Sequence, residues 1–450
     1  MGQESMKKSK SQLITPRRPS GFGELLPSEQ ISYDNFVKII RETFELFGFT
    51  SIKTPAIELA EVLLAKGGGE TDKQIYMLEK GKNTLALRFD LTVPLARYVS
   101  EHYSSLTFPF RRYQIQEVWR AERAQRGRFR EFTQCDVDVI GSAGMMVDAE
   151  IITVAATVYE RLNVGDFLIR INNRKILNGF FLEKKLSDLS VMILRIVDGL
   201  EKNGEEKTQK DLLDAGLTQV DIGLLFDLIT INGPAENAIS KLRSLGVSED
   251  LFVEGVDEIE EVCQYLVLFG VLSNQFCIDC SIARGLDYYT GTVYETTLVK
   301  MPQVGSIGSG GRYDSLAQNY TKQVLPGVGF SIGITRLFSV LKEAGIILPQ
   351  TKTVPTEVMI VCLGEERQGL GIELVQSMRQ KNISAEIYPE AVKITKSLTY
   401  ANKNGIPYVI IIGEDEEKNR KLTLKDMSNG KQELISREDA ITIISSKRRD

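Results

Sequence analysis

Two segments with strand-like alternation, FRRYQIQEVWR (residues 110–120) and EFTQCDVDVIG (residues 131–141), decide the fold that this sequence predicts. Both alternate side chains between two faces, as a half-buried strand does. The run AQRGRF (124–129) between them is expected to form a loop. Together with TLALRFDLT (84–92), these segments predict an antiparallel sheet rather than a parallel α/β core.

Helical patterns surround this sheet. The spacing of apolar residues predicts a helix before Gly48, followed by a strand in FTSIKTP (49–55), and a further helix over about 145–162. Residues from about 180 to 265 change character, since they form short amphipathic segments joined by glycine-containing turns. They predict a helical insertion. GVGFSIGITRL (327–337) then predicts a strand that leads into a helix.

Composition shifts divide the chain. Residues 1–20 are basic and polar and are expected to form a flexible tail, whereas 21–346 hold the sheet and its insertion. Residues 347–356 are a Pro- and Thr-containing linker. In 357–450, buried strands alternate with helical segments, which predicts a small parallel or mixed α/β domain.

The composition excludes several classes of protein. The only histidine, His102, rules out a His-rich zinc site and a two-histidine metalloprotease motif, and it is expected at a surface or helix end. Five cysteines do not make a disulfide scaffold, and we expect Cys277 and Cys280 to be buried strand residues. No apolar run approaches the roughly 20 residues of a membrane span. We therefore expect a cytoplasmic protein without a membrane partner. The net charge of −5 gives by itself no indication of a nucleic-acid partner.

An arginine cluster is the strongest local charge feature. The segment from residue 111 to residue 130 contains seven arginines but only two acidic residues, Glu117 and Glu122. Guanidinium groups suit bidentate contacts with phosphate, but a solvated hairpin with salt bridges explains the cluster equally well. The seven are Arg111, Arg112, Arg120, Arg123, Arg126, Arg128 and Arg130.

Two polar pairs are candidates for binding a small polar ligand. Asp90 and Thr92 are two residues apart and face one side of the predicted strand, where they would suit an ammonium group, although an ordinary surface strand is the simpler interpretation. Gln134 and Asp138 also share one strand face. A buried amide and carboxylate are costly unless they bind something polar.

Three glycine-containing motifs complete the candidates. ARGLDYYTG (283–291) carries Arg284 beside Tyr288 and Tyr289, which on a strand would point to opposite faces, so at most one is expected in a given pocket. GSIGSGGRYD (305–314) allows close backbone approach, but its antiparallel surroundings argue against a dinucleotide fold. Arg336 follows a glycine-rich strand and is either a phosphate ligand or a solvent-facing helix residue.

The order of these motifs resembles that of the histidyl-tRNA synthetases, a family of class II aminoacyl-tRNA synthetases, over residues 20–445. The helix and strand that end at Pro55 resemble motif 1, the dimer-forming element. Motif 2 is similar to VWRAERAQRGRFREFTQCD (118–136), and motif 3 is similar to GVGFSIGITRL. The histidine-specific signatures are similar to ARGLDYYTGTVYE (283–295) and GGRYD (310–314). The anticodon-binding domain is similar to SLTYANKNGIPYVIIIGEDE (397–416).

The resemblance implies an α+β catalytic domain on an antiparallel sheet with a helical insertion, and a C-terminal α/β anticodon-binding domain. It implies ATP-dependent ligation of histidine to tRNA(His) through a histidyl-adenylate, with Mg²⁺ accompanying ATP, no metal held by the protein alone, and a homodimer. Two alternatives are an inactive paralogue that serves as the regulatory subunit of ATP phosphoribosyltransferase, and a class II synthetase for another amino acid. The intact arginines and the RGLDYYTG signature argue against both.

The resemblance also assigns roles to individual residues. Arg120 would hold the α-phosphate of ATP, Glu122 would lie near the adenine, and Arg336 would bind the γ-phosphate. Arg284 would take the place of a catalytic metal at the α-phosphate. In the implied histidine site, Asp90, Thr92 and Gln134 would take the α-amino group. Asp138 and Tyr289 would contact the imidazole ring, with Tyr288 beside it, and Leu91 is a further binding residue. The family often has glutamate where Asp90 and Asp138 stand, so both acids have a shorter reach here.

Overall fold

The computed structural model describes residues 14–65, 74–81, 83–123, 127–282, 288–347, 352–390 and 393–446. They form two compact units. The first contains Phe36–Ile347 with the N-terminal residues up to Gly23, and the second contains Glu24–Asn35 and Leu348–Asp450. Of the predicted tail, only residues 14–20 are described, and all of them are exposed.

The described chain contains both α-helices and β-strands. The helices are α1 (Pro27–Leu46), α2 (Ala60–Leu63), α3 (Thr92–Glu101), α4 (Met145–Arg161), α5 (Arg174–Glu183), α6 (Ser190–Asp198), α7 (Leu200–Asn203), α8 (Glu205–Asp214), α9 (Gln219–Ile229), α10 (Ala235–Ser244), α11 (Asp250–Leu268), α12 (Ile334–Glu343), α13 (Gln368–Gln380), α14 (Ile394–Lys403), α15 (Glu414–Asn419) and α16 (Arg437–Ser446). The strands are β1 (Thr50–Ser51), β2 (Ile57–Leu59), β3 (Met77–Lys80), β4 (Asn83–Leu87), β5 (Phe110–Trp119), β6 (Glu131–Ile140), β7 (Phe167–Asn173), β8 (Asn232–Gly233), β9 (Phe276–Asp279), β10 (Thr292–Leu298), β11 (Gly308–Tyr313), β12 (Gly327–Gly333), β13 (Val358–Cys362), β14 (Ala385–Ile387), β15 (Tyr408–Ile412), β16 (Leu422–Asp426) and β17 (Gln432–Ile435).

The first unit is built on a nine-stranded sheet of described residues with the order β1-β5-β6-β12-β11-β10-β7-β9-β8. Strands β5 and β6 pair antiparallel along their full length, from Phe110 opposite Ile140 to Trp119 opposite Glu131. The pairs from β6 to β7 are also antiparallel, and parallel pairs occur only toward the edges, between β1 and β5 and between β7 and β9. The predicted antiparallel sheet is therefore confirmed for the segments 110–120 and 131–141, whereas strand β4 of the segment TLALRFDLT belongs to a separate antiparallel sheet with the order β2-β4-β3.

The alternation in β6 separates an apolar face from a polar face. Cys135, Val137 and Val139 are almost completely buried, and helix α4 contacts β6 and β12. Burying such a side chain stabilises the fold by about 1.5–3 kcal/mol. The intervening residues point to the opposite face of the sheet, where the candidate site lies.

The strand predicted at TLALRFDLT is shorter than expected. Strand β4 ends at Leu87, and helix α3 begins at Thr92, so Asp90 and Thr92 do not share a strand face. The Oδ1 atom of Asp90 accepts a hydrogen bond from the amide of Val93 at 3.1 Å, which satisfies a free N–H of the first helical turn. Asp90 thus lies in the loop between strand and helix, one residue before the N-cap Leu91.

The predicted helical insertion is confirmed as helices α5 to α11 of the first unit. Helices α5 and α11 approach closely because each contributes a glycine at their contact. A Cβ on Gly179 would lie 2.3 Å from the backbone nitrogen of Phe252, and one on Gly255 would lie 2.8 Å from that of Ile176. Neither position has room for a side chain.

The second unit contains a separate mixed sheet with the order β14-β13-β15-β16-β17. The first three strands are parallel and the last two pair antiparallel, which confirms the mixed α/β prediction. Strands β13 and β15 are buried at all five positions. No described helix in either unit combines the length and apolar character that a membrane crossing requires.

Candidate active site

The first unit contains a cavity of about 460 Å³ on the polar face of its sheet. It is bordered by the loop between β4 and α3, by β6, and by strands β10 to β12. Eight of the residues implied by the resemblance line it: Asp90, Thr92, Arg120, Glu122, Gln134, Tyr288, Tyr289 and Arg336. Arg284 lies outside the described residues, so its predicted place cannot be compared with the cavity.

Three polar side chains of β6 face the same side of the sheet: Gln134, Asp136 and Asp138. We call them the polar row. They follow one another at the two-residue period of a strand, and all three are buried. Their register partners are, on β12, Gly333, Ser331 and Gly329, and, on β5, Gln116, Gln114 and Arg112.

The open end of the polar row, Gln134 and Asp136, lines the cavity. Gln134 Nε2 donates to Ser331 Oγ at 2.8 Å, and Ser331 Oγ donates to Asp136 Oδ1 at 2.5 Å. The buried Oε1 of Gln134 has no hydrogen-bond partner among the described residues. A buried acceptor without a donor is costly, so this atom is available for a ligand.

Asp90 supplies a second free acceptor. Its buried Oδ2 likewise lacks a hydrogen-bond partner within the described part of the chain. Burial raises the pKa of Asp90 to about 6, although the Val93 amide and the Arg120 and Arg112 charges act in the opposite direction. Two unpaired acceptors beside one cavity suit a ligand that carries several N–H donors, such as an ammonium group.

The sealed end of the polar row, Asp138, does not line the cavity. Its Oδ2 lies 2.7 Å from Nη2 of the fully buried Arg112, and its Oδ1 accepts a hydrogen bond from the Tyr313 hydroxyl at 2.5 Å. The carboxylate lies over Gly329, where a Cβ would be 1.9 Å from Oδ1. The ligand contact that the resemblance implies for Asp138 stays a prediction: its Oδ2 is paired by charge with Arg112 but accepts no hydrogen bond from the described residues. Leu91 is also fully buried and lies outside the cavity wall.

Asp136 is a functional candidate that the sequence reasoning missed. It is 2% exposed, and burial raises its pKa to about 7 against the opposing charge of Arg112. The available signal was its position between Gln134 and Asp138, since the period that places those two on one face places Asp136 there as well.

Some arginines of the cluster form ion pairs within the protein, and others line the cavity. Arg111 forms a two-pronged ion pair with Glu150, at 2.9 and 2.8 Å, and Arg112 is committed to the polar row. Arg120 and Arg128 line the cavity, with Glu122 Oε2 lying 3.6 Å from Arg128 Nη1. The ion-pair interpretation is therefore confirmed for Arg111, whereas phosphate binding by the cavity arginines stays a prediction, and Arg126 lies outside the described residues.

Arg120 and Arg336 are held by backbone carbonyls on the cavity wall. Arg120 Nε donates to the carbonyl of Phe89 at 3.1 Å, and its guanidinium lies 5.1 Å from the centroid of the Phe132 ring. Arg336 donates to the carbonyl of Val304, and burial together with the nearby Arg128 lowers its pKa. Fixed guanidinium groups of this kind suit phosphate binding.

Both tyrosines line the cavity, so the expectation that at most one would do so is wrong. Strand β10 begins only at Thr292, and Tyr288 lies in a turn, where strand alternation does not apply. The two rings pack edge to face with centroids 5.0 Å apart. Burial raises the pKa of both hydroxyls, which therefore remain protonated donors.

The GGRYD motif anchors the segment that follows the tyrosines. Arg312 forms a buried ion pair with Asp148, and its carbonyl accepts a hydrogen bond from the amide of Thr290 at 2.8 Å. Thr290 Oγ1 also donates to Asp314 at 2.5 Å. These contacts hold the backbone immediately after Tyr289.

Other predicted residues lie away from the site. His102 is exposed directly after α3, Cys280 is buried, and Cys277 is half-buried on β9. Burial raises the pKa of Cys277 to about 11, so this thiol is protonated at neutral pH. No group of three acidic, histidine or cysteine residues in the described ranges could hold a metal ion.

Comparisons with known proteins agree with this geometry. A family model for histidyl-tRNA synthetase matches residues 21–337, and one for an anticodon binding domain matches residues 357–447. A histidine--tRNA ligase of Clostridium tetani is 48% identical over 97% of this chain and 100% of its own length, and one of Xanthomonas campestris is 44% identical over 95% of both chains. The crystal structure of a histidyl-tRNA synthetase from Nostoc sp. PCC 7120 superposes with a TM-score of 0.87, at 40% identity, over 97% of this chain and 100% of that one.

The antiparallel sheet with arginines and buried acceptors around one cavity, joined to an anticodon-binding type of domain, defines a class II aminoacyl-tRNA synthetase. Within that class, the matching family model and the sequence identity to the relatives show to which family the chain belongs. The chain belongs to the histidyl-tRNA synthetase family.

Proposed function

We propose that the protein ligates histidine to tRNA(His) at the expense of ATP, through a histidyl-adenylate. The observation that carries the proposal is a cavity with two free buried acceptors, Asp90 Oδ2 and Gln134 Oε1, beside the arginines Arg120 and Arg336. An amino acid has an ammonium group for the acceptors, and ATP has phosphates for the arginines. The relatives named histidine--tRNA ligase support histidine as the amino acid.

The reaction depends on the orientation in which histidine is bound. We expect the α-ammonium group of histidine to bind between Asp90 and Gln134, with Thr92 beside them. The substrate carboxylate is already ionised, so its attack on the α-phosphorus of ATP needs no general base. A bond forms between that oxygen and phosphorus, and pyrophosphate leaves. Fixed orientation and charge stabilisation then supply most of the acceleration.

The nucleotide end depends on the guanidinium groups. We assign Arg120 to the α-phosphate, Arg336 to the γ-phosphate and Glu122 to the adenine, as the resemblance implies. The backbone contacts of both arginines hold their charges in place before ATP arrives, which limits the reorganisation that the reaction requires. Arg284 remains our candidate for a second cation at the α-phosphate.

Magnesium is expected to enter with ATP. The described residues gather no three-membered cluster of acidic, histidine or cysteine side chains, so phosphate oxygens and water would supply most of its ligands. Magnesium would neutralise phosphate charge, and the residues of this chain would position the reacting groups.

The second step and the assembly are further parts of the proposal. A terminal ribose hydroxyl of tRNA would attack the adenylate, and the anticodon-type unit at residues 357–447 would bind the tRNA. We also propose a cytoplasmic homodimer. The free cysteines suit a reducing compartment, and the segment ending at Pro55 resembles the dimer-forming motif. Light scattering at micromolar concentration is expected to give twice the mass of the 50.4 kDa chain.

Amino-acid-dependent exchange between pyrophosphate and ATP, measured for all twenty amino acids, tests the proposed function. We expect exchange with histidine alone. Exchange with another amino acid, or none with histidine, would refute the proposal. For Arg284, the variant Arg284→Ala is expected to slow adenylate formation in a single turnover while histidine binding is retained, and a normal rate would remove that assignment.

A further inference from the structure

Arg88 is a buried cation next to the candidate active site but not part of its wall. Its side chain is 1% exposed and does not line the cavity. Its Nε atom donates to the carbonyl of Glu117 at 2.8 Å. Its Nη1 atom donates to the carbonyls of Thr54 and Pro55, at 2.8 and 3.2 Å, and to Gln116 Oε1 at 3.2 Å. All of these acceptors are neutral oxygens. A buried guanidinium is costly unless its donors are paired, so these contacts fix its position.

The backbone of Arg88 is held between the same two segments. Its amide donates to the carbonyl of Ala56 at 3.0 Å, and its carbonyl accepts a hydrogen bond from the amide of Trp119 at 3.0 Å. Residues 54–56 therefore hold Arg88 on one side, and residues 116–119 of β5 hold it on the other. Side-chain and backbone contacts together leave the chain little freedom at this point.

The two residues after Arg88 serve the two substrates of the proposed reaction. The carbonyl of Phe89 accepts a hydrogen bond at 3.1 Å from Nε of Arg120, the proposed ligand of the α-phosphate. Asp90 follows, and its unpaired Oδ2 is the proposed acceptor of the α-ammonium group. Because consecutive Cα atoms are only about 3.8 Å apart, a shift of the backbone at Arg88 moves both neighbours.

We propose that Arg88 is a positioning residue for adenylate formation: through the backbone of residues 88–90, its guanidinium sets the distance between Asp90 and Arg120 and thus between the two substrates. This inference rests on the proposed function. Arg88 itself touches neither substrate. The reaction requires the carboxylate oxygen of histidine close to the α-phosphorus, and a misplacement of about 1 Å can cost about a hundredfold in rate.

A positioning role and a purely structural role predict different losses. Each substrate alone can follow a small shift of its own binding group, so its dissociation constant changes little. The reaction between the substrates depends on both groups at once, so the loss falls on the rate constant of adenylate formation. If Arg88 only stabilised the fold, its replacement would lower the unfolding midpoint while each folded molecule kept its full rate.

The test variant is Arg88→Lys, which keeps the charge but cannot reproduce the planar pattern of guanidinium donors. A rapid-quench single turnover with saturating histidine and ATP gives the rate constant per active site, which we expect to fall about a hundredfold. Calorimetric dissociation constants of histidine and of ATP, each measured alone, are expected to change less than about threefold. The matched control is Arg111→Lys, which alters the ion pair with Glu150 on the same strand β5 and is expected to keep the rate.

A double-variant cycle shows whether Arg88 acts through its neighbours. In an Arg120→Ala background the phosphate ligand is already lost, so Arg88→Lys is expected to slow adenylate formation by less than about threefold more. An equal loss in both backgrounds would overturn the inference. So would an unchanged rate in Arg88→Lys, or a loss confined to the dissociation constants.

Two further outcomes have a defined meaning. If Arg88→Lys does not fold, Gln116→Ala, which removes one acceptor of the guanidinium, takes its place in the same cycle with an expected loss of about tenfold. An unchanged rate in that variant would overturn the inference. Failure of the unaltered protein to form an adenylate with histidine would instead refute the proposed function.

Discussion

The two ends of the polar row lie on one strand and one face, yet their surroundings differ. At the sealed end, Asp138 is paired with Arg112 and Tyr313, so its charge is balanced within the protein. At the open end, Gln134 keeps an unpaired acceptor, as does Asp90 across the cavity. Burial is nearly equal at the two ends, at 2% exposure for both Asp136 and Asp138. Burial alone therefore does not distinguish the two ends, whereas the ion pair between Asp138 and the buried Arg112 does.

The comparison predicts that substitutions at the sealed end affect stability and that those at the open end affect substrate binding. The first unit offers a direct probe of stability, since the only tryptophan, Trp119, is the last residue of β5 beside the row. Its fluorescence reports the unfolding of this sheet.

The largest effect is expected at the sealed end. Arg112→Met leaves the buried Asp138 without its cation and is expected to destabilise the first unit by about 3–5 kcal/mol. Urea unfolding followed at Trp119 measures this change. The double variant Arg112→Met with Asp138→Leu is expected to recover most of the stability, because it removes both charges. An Arg112→Met variant as stable as the unaltered protein would contradict the expected contribution of this ion pair to stability.

The next effect is expected at the open end. Asp90→Asn replaces the proposed ammonium partner and is expected to reduce kcat/KM for histidine in pyrophosphate exchange about a hundredfold or more. The unfolding midpoint is not expected to fall, because the carboxylate is desolvated without an ion-pair partner. Asp166→Asn, an exposed carboxylate of the same type, serves as the control. Equal activity of the two variants would contradict the assignment.

A smaller effect concerns the pH dependence of stability. The pKa of Asp136 is about 7 in the folded protein and lies near 4 in an unfolded chain, so the folded state holds the extra proton between these values. This contribution to stability is complete below pH 4 and is lost as the pH rises through 7. Between pH 5 and 7 the loss amounts to about 2 kcal/mol. Asp136→Asn is expected to flatten this part of the profile, and an unchanged slope would count against the raised pKa.

The smallest effect concerns histidine binding in acid. Asp90 has a pKa of about 6, and only its ionised form pairs with an ammonium group. Affinity for histidine is therefore expected to fall about tenfold between pH 7 and pH 5. Because the ring of free histidine and the carboxyl of Asp136 also titrate in this range, the comparison is with Asp90→Asn, which retains both of these titrations. Parallel profiles in calorimetry would rule out the Asp90 contribution.

The sequence predicts the sheet and the polar face of β6 because a strand has a fixed period of two. It does not predict which member of the row meets the cavity. That outcome depends on Arg112 from the neighbouring strand and on Tyr313, which is 175 positions away from Asp138. The end of β4 is likewise not predicted, because the chain changes from strand to helix within a short loop, in which Asp90 accepts a hydrogen bond from the amide of Val93. The turn at Tyr288 places both tyrosines in the cavity, although a strand would have separated them.

The most direct test of the central claim is a crystal structure of the protein with histidine bound. The account predicts that the α-ammonium nitrogen lies within about 3 Å of Asp90 Oδ2 and Gln134 Oε1, two buried acceptors of cavity-lining residues that lack hydrogen-bond partners among the described residues. The Arg112–Asp138 ion pair is expected to remain intact. Histidine bound with both acceptors still unpaired, or bound by breaking that ion pair, would contradict the account.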